Sequence, residues 1–102
     1  MAGLTSEAIW CRKHAARNIY GDWPDCPYCG APFYWLDGEV DHIVPIIAGG
    51  SNSEDNTALV CGDCNHKKAG KRPREWLLEM GYSLNDCRSL LQEQAKRVEW
   101  LN

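Results

Sequence analysis

The sequence predicts a small α+β domain closed around a metal, and three observations carry that reading. Apolar residues recur at gaps of three and four near both ends of the chain. β-prone runs crowd the middle, and two CxxC pairs bracket them. The 102 residues suffice for one small domain. At that size the apolar core is limited, so a staple such as a metal or disulfides is expected.

Residues 5–19 read as a helix. Leu4, Ala8, Cys11, Ala15 and Ile19 form the stripe, with Arg12, Lys13 and Arg17 off it, and His14 falls on the polar side, where it is expected to be exposed. Thr5 or Ser6 can cap the start, and Gly21 follows the end. "DWPDCPYCGAP" is too rich in proline and glycine for regular structure. "FYWL-DG-EVDHIV" reads as two strands of a hairpin turning at Asp37-Gly38. "AGGSNSEDN" is a loop or a short helical turn, "TALV" a short strand, and a helix begins near Cys64 and ends near Gly70. Pro73 suits the first turn of a helix over 73–80, with Trp76, Leu77 and Met80 on one side. A last helix over 84–101 has the stripe Leu84, Cys87, Leu91, Val98 and Leu101. Cys11 and Cys87 lie on stripes and read as buried thiols, while Trp76 and Trp100 fit either a core or a contact surface.

Net charge is −3, which alone argues against a nucleic-acid partner, but its distribution does not. Lys67, Lys68, Lys71, Arg72 and Arg74 fall within eight residues with no acid among them. The opening MAGLTSEAIW lacks the basic-then-apolar pattern of a signal peptide, and no run of about 18 apolar residues offers a membrane span. The expected setting is the cytoplasm, where thiols stay reduced and paired cysteines bind metal more often than they cross-link.

Cys26-Pro-Tyr-Cys29 and Cys61-Gly-Asp-Cys64 are two knuckles with 31 residues between them. Two thiolates spaced this way hold one face of a tetrahedral zinc ion, and two knuckles complete the set. Disulfides or a redox CxxC are the competing reading, and the matched knuckles favour metal. Such a zinc is structural, because four thiolates leave no open position. Its site can supply about 10–16 kcal/mol, against a net stability of about 5–15 kcal/mol for a whole domain.

Asp41 and His42 stand inside an otherwise apolar run, where ionisable groups are costly unless something binds them. The zinc clamp would bring "EVDHIVP", "NTALVC" and Asn65 together, making Asp41, His42, Asn56 and Asn65 candidates for one site. Asp and Asn are oxygen ligands suited to magnesium or manganese. Histidine ordinarily titrates near neutrality and can take a proton from water. A hard cation, a neutral imidazole and a basic patch together describe phosphodiester hydrolysis.

The stretch "CPYCG…EVDHIVPIIAGGSNSEDNTALVCGDCNHKK" resembles the HNH endonuclease family over residues 26–68. The resemblance implies a ββα-metal core within a single domain over 1–102, flanked by the helices at 5–19, 73–80 and 84–101. It further implies that His42 is the general base and Asp41 a ligand of the catalytic cation. Asn56 would hold the loop bearing His42, and Asn65 would be the second ligand. Magnesium or manganese is the expected cation, with nickel or cobalt as substitutes, and DNA the expected partner, contacted by Lys67, Lys68, Lys71, Arg72 and Arg74. Small stand-alone proteins of this kind occur in bacteria and phages. The chain departs from the pattern at Thr57, where leucine is usual, and His66 directly after Asn65 leaves the last ligand open between the two. Adjacent strand residues point to opposite faces, so Asp41 and His42 share a site only if the strand distorts.

Each motif has a plainer reading. Asn56 can be a loop asparagine, Asn65 a helix cap, and the basic run a solvated face. A zinc-stabilised nucleic-acid-binding or protein-binding module without catalysis explains the cysteines and lysines but leaves Asp41 and His42 without a task. A structural subunit explains only the Trp-rich, amphipathic ends. Metal-dependent plasmid nicking separates the first reading from both.

Overall fold

The structure, a computed structural model, describes residues 3–82. The helix expected over 84–101, with Cys87 and Trp100, lies outside them.

Helix α1 spans Ser6–Tyr20. Thr5 Oγ1 accepts from the Ala8 amide at 3.1 Å, and the Gly21 amide closes the last turn on the Arg17 carbonyl. The apolar stripe located the helix but not the surface by which it docks. Cys11, Ala15 and Ile19 are exposed, contrary to the core role expected for Cys11. A polar side does the anchoring instead. Arg12 Nε donates to Thr57 Oγ1 at 2.8 Å, Arg12 Nη2 to the Asn52 carbonyl at 2.7 Å, and Lys13 Nζ to the Leu36 carbonyl. His14, expected in solvent, is half-buried between the rings of Trp10 and Trp35, 4.3 and 4.8 Å away.

The hairpin expected at Asp37-Gly38 does not form. Trp35–Asp37 is a single 3-10 turn, and strand β1, Glu39–His42, pairs antiparallel with β2, Thr57–Val60. Glu39 faces Val60, Val40 Leu59, Asp41 Ala58 and His42 Thr57. A two-residue hairpin turn of the favoured kind needs positive φ, and Gly38 has φ −68°. Gly38 serves close packing instead. A Cβ there would lie 2.5 Å from Phe33 Cε2 and 2.9 Å from Leu59 Cγ.

Cys61 caps helix α2, Gly62–Lys68, which starts two residues earlier than expected. Helix α3 is Pro73–Glu79, with proline in the first turn and Trp76 and Leu77 buried. Trp76 is thus a core residue. The core gathers Tyr28, Phe33, Ile43, Ala58, Leu59, Val60, Trp76 and Leu77. Fully burying an aliphatic side chain such as Ile43 or Leu77 contributes about 1.5–3 kcal/mol. Helix α2 lies against β1 with the first knuckle beside them, so two strands and one helix frame the site. Among the described residues no helix is long and apolar enough to cross a membrane.

Candidate functional site

The four cysteines converge. The Sγ atoms of Cys26, Cys29, Cys61 and Cys64 all lie within 4.8 Å of one another, and Cys29 and Cys61 are 3.8 Å apart. The edge of a tetrahedron with metal–sulfur bonds of about 2.3 Å is about 3.8 Å. The first knuckle is shaped by the Gly30 amide bonding to the Cys26 carbonyl and the Cys26 amide to the Ala31 carbonyl. The second is the first turn of α2, where Cys61 Sγ accepts from the Cys64 amide. Burial pushes the Cys26 and Cys64 thiols up. It acts the same way on Cys29, but the Ala31 amide and neighbouring thiols outweigh it and bring that thiol down. Four crowded thiols share negative charge poorly unless a cation joins them, and a soft divalent metal such as zinc fits the set.

A second group of polar residues lines the seam between β1 and α2. Glu39 and Asp41, two apart on the strand, occupy one side of it, while Asn65 and Lys68, three apart, share one side of the helix. Asn65 Nδ2 donates to Glu39 Oε1 at 2.7 Å, and Lys68 Nζ lies 3.3 Å from Asp41 Oδ1. His66 Nε2 also reaches Glu39, at 3.2 Å, from an exposed position. Asp41 is 5% exposed, and its other oxygen accepts from the Tyr28 hydroxyl at 2.5 Å. Burial pushes the Asp41 carboxyl up against the opposing pull of Lys68, Tyr28 and His42. Burial likewise lowers Lys68, and burial together with the Asp41 charge holds the Tyr28 hydroxyl well above its usual range, so it remains a donor.

His42 turns the other way. Its Nε2 lies 2.7 Å from Asn52 Oδ1, while its carbonyl accepts from Lys68 Nζ at 3.0 Å. The Asp41 and His42 side chains therefore follow ordinary strand alternation, the carboxylate meeting Tyr28 and Lys68 and the imidazole meeting Asn52. The loop after His42 closes on Asn56, which is 2% exposed. Its Oδ1 accepts from the Val44 amide, and its Nδ2 donates to the carbonyls of Val44 and Ser51. Gly50 permits this closure, because a Cβ there would lie 1.8 Å from the Val44 carbonyl oxygen.

The basic run divides. Lys68 is fully buried and leaves the expected DNA-contacting group, because its ammonium is needed by Asp41 and the His42 carbonyl. Lys67 pairs with Asp63 at 3.1 Å and Lys71 with Glu79 at 3.2 Å, and Arg72 and Arg74 are exposed on either side of Pro73. Three residues around the site were not singled out from sequence: Tyr28, Asn52 and Arg12. The signal for Tyr28 was its position inside a knuckle. Asn52 and Arg12 come from distant segments and left no local signal.

Two antiparallel strands and a helix, clamped by four cysteines beside a polar seam, define a small metal-binding ββα domain. Residues 26–71 match the model of the HNH endonuclease family. Among curated proteins the chain is similar to the CRISPR-associated endonuclease Cas9 of Corynebacterium diphtheriae, at 28% identity over 72% of this chain and 9% of that protein. It is also similar to the Type IV methyl-directed restriction enzyme EcoKMcrA of Escherichia coli K12, at 36% identity over 56% of this chain and 23% of that enzyme. The chain thus spans less than a quarter of either relative. Among solved structures, the Type II-C Cas9 enzyme from Actinomyces naeslundii superposes with a TM-score of 0.69 over 99% of this chain and 12% of that one. At 24% identity, that likeness concerns the fold.

Proposed function

We propose that this chain is a metal-dependent DNA endonuclease that hydrolyses phosphodiester bonds with weak sequence preference. The observation that carries the reading is the seam itself: within the HNH stretch, Asp41 and Asn65 stand on facing sides of β1 and α2, and His42, next in the strand, presents its ring on the other side of β1 against Asn52. Asp41 and Asn65 would hold magnesium or manganese, and their oxygens suit such a hard cation. When bound, that cation supplies Lewis acidity to a phosphate oxygen. Glu39 takes the amide nitrogen of Asn65, which leaves Asn65 Oδ1 as the ligand atom.

His42 is the general base. An amide oxygen only accepts, so Asn52 Oδ1 leaves the proton on Nε2 and the lone pair on Nδ1, the atom that takes the proton from water. Asn56 holds the loop that carries Val44 and Ser51 and so steadies His42 at its start. The structural metal in the four-cysteine site is zinc, which suits the reducing cytoplasm of a bacterial or phage-infected cell. Arg72 and Arg74, with Lys67 and Lys71, meet the phosphates.

One observation favours the alternative, a zinc-stabilised nucleic-acid-binding module without catalysis. Asp41 already has two donors, Tyr28 and Lys68, and needs no cation to be satisfied. Incubating the purified chain with supercoiled plasmid in magnesium or manganese decides between them. Nicked or linear product that disappears with EDTA is expected. Salt-sensitive DNA binding with no cleavage in any divalent cation would establish the binding module.

A further inference from the structure

Tyr28 lies between the two cysteines of the first knuckle and is completely buried, so its side chain moves only as the knuckle moves. Its ring meets Trp76 edge-on at 5.9 Å, and its carbonyl accepts from the Tyr82 hydroxyl. Backbone and ring are thus both held, and the hydroxyl at the far end lies 2.5 Å from Asp41 Oδ2. Lys68 takes Oδ1 from the opposite side, so the Asp41 carboxylate is gripped by one donor from the knuckle and one from α2. The two donors differ in charge. The ammonium cancels the carboxylate charge that attracts a cation, whereas the neutral hydroxyl orients the carboxylate and leaves that charge in place. Each carboxylate oxygen has two acceptor directions, so one donor per oxygen still leaves room for a cation.

We propose that Tyr28 is a positioning residue that aims the Asp41 carboxylate for the catalytic cation and ties that site to the four-cysteine knuckle. The inference rests on the reading of Asp41 as a cation ligand. A tyrosine ring has two rotatable bonds and no slack along its length, so it transmits the knuckle's position to Asp41 as a strut. Groups that orient metal ligands in this way change metal affinity about 10–100-fold when removed.

The test is manganese binding to the zinc-loaded chain, followed by the electron paramagnetic resonance signal of free Mn2+, for wild type, Tyr28→Phe and Asp41→Asn. Tyr28→Phe removes one oxygen and keeps the ring. It is expected to retain full zinc content and to bind manganese about tenfold more weakly or worse. The manganese needed for half-maximal cleavage should rise in parallel, with kcat recovering at saturation, and 4-aminophenylalanine at position 28 should restore part of the affinity through its N–H. A merely structural role would lower the melting temperature and leave manganese affinity alone. Equal binding by wild type and Tyr28→Phe, with Asp41→Asn binding much more weakly, overturns the inference while the reading of Asp41 stands. Wild type and Asp41→Asn behaving alike overturns that reading and the inference with it. Should Tyr28→Phe fail to fold, the 4-amino variant carries the test, because an aniline is the weaker donor. A dissociation constant raised several-fold supports the strut, and one equal to wild type overturns it.

Discussion

The Lys68 ammonium lies 3.3 Å from Asp41 Oδ1 and 3.0 Å from the His42 carbonyl, with no exposed surface of its own. A lysine from a basic run, which local sequence assigns to the DNA face, is thereby the internal partner of the strand that bears the DH pair. Removing one member of a buried ion pair costs about 3–5 kcal/mol, because the other charge stays behind unpaired. Lys68→Ala should therefore lower the urea midpoint sharply. Its DNA affinity, measured where the variant is folded, should keep the wild-type salt slope. Arg72→Ala with Arg74→Ala should do the reverse, leaving stability within about 0.5 kcal/mol and flattening the slope of log affinity against log salt by about two units. A flatter slope for Lys68→Ala would return that residue to the phosphate surface.

One zinc per chain should survive dialysis against magnesium buffer, as elemental analysis will show. Stripping it with a strong chelator should unfold the domain, since the site's binding free energy of about 10–16 kcal/mol rivals the entire folding stability. Cys29→Ser and Cys61→Ser should melt far below wild type or fail to accumulate in soluble form. A folded, zinc-free wild type would remove the clamp from the account of the fold.

His42→Ala should cut the rate of plasmid nicking by about 10²–10⁴-fold while zinc content and DNA affinity stay at wild-type values. Asn52→Ala should produce a smaller loss in the same direction, because the ring keeps its base but loses the partner that sets its tautomer and angle. Wild-type rates in both variants would assign the general base elsewhere.

Asn56→Ala removes an acceptor for the Val44 amide and donors to two carbonyls in a half-buried loop. Each orphaned group costs about 1–3 kcal/mol, less where water can replace the partner. A loss of about 2–4 kcal/mol is expected by urea denaturation. Gly50→Ala, whose Cβ would meet the Val44 carbonyl oxygen, should disturb the same loop and slow nicking. Full stability in Asn56→Ala would mean that the loop closes without it.

The ligand at the end of the motif can be settled by a pair of variants. Asn65 shares the strand-facing side of α2 with Lys68, whereas His66 is mostly in solvent. Asn65→Ala should cripple cleavage and manganese binding, and His66→Ala should cost little. Asn65→His should remain active and shift preference toward nickel or cobalt. Inactivity confined to His66→Ala would exchange the two roles.

Sequence alone determined the parts of this protein whose physics is local. Two CxxC spacings specify a metal knuckle each, Thr5 or Ser6 and Gly21 mark the ends of α1, and Pro73 opens α3, because caps, turns and thiolate bite depend on a few adjacent residues. The HNH stretch was legible for the same reason, as short motifs at fixed spacing. Tertiary structure decided the pairings. Glu39–His42 took Thr57–Val60 as its partner instead of the nearer "FYWL", since packing of Phe33 and Leu59 against Gly38 outweighs a hairpin-prone dipeptide. Lys68 lies inside because Asp41, 27 residues away in sequence, pairs with its ammonium there. The contacts of Arg12 with Asn52 and Thr57 span 40 and 45 residues. Such contacts arise only when the whole chain has closed, because a buried charge is tolerated only where another segment supplies its partner.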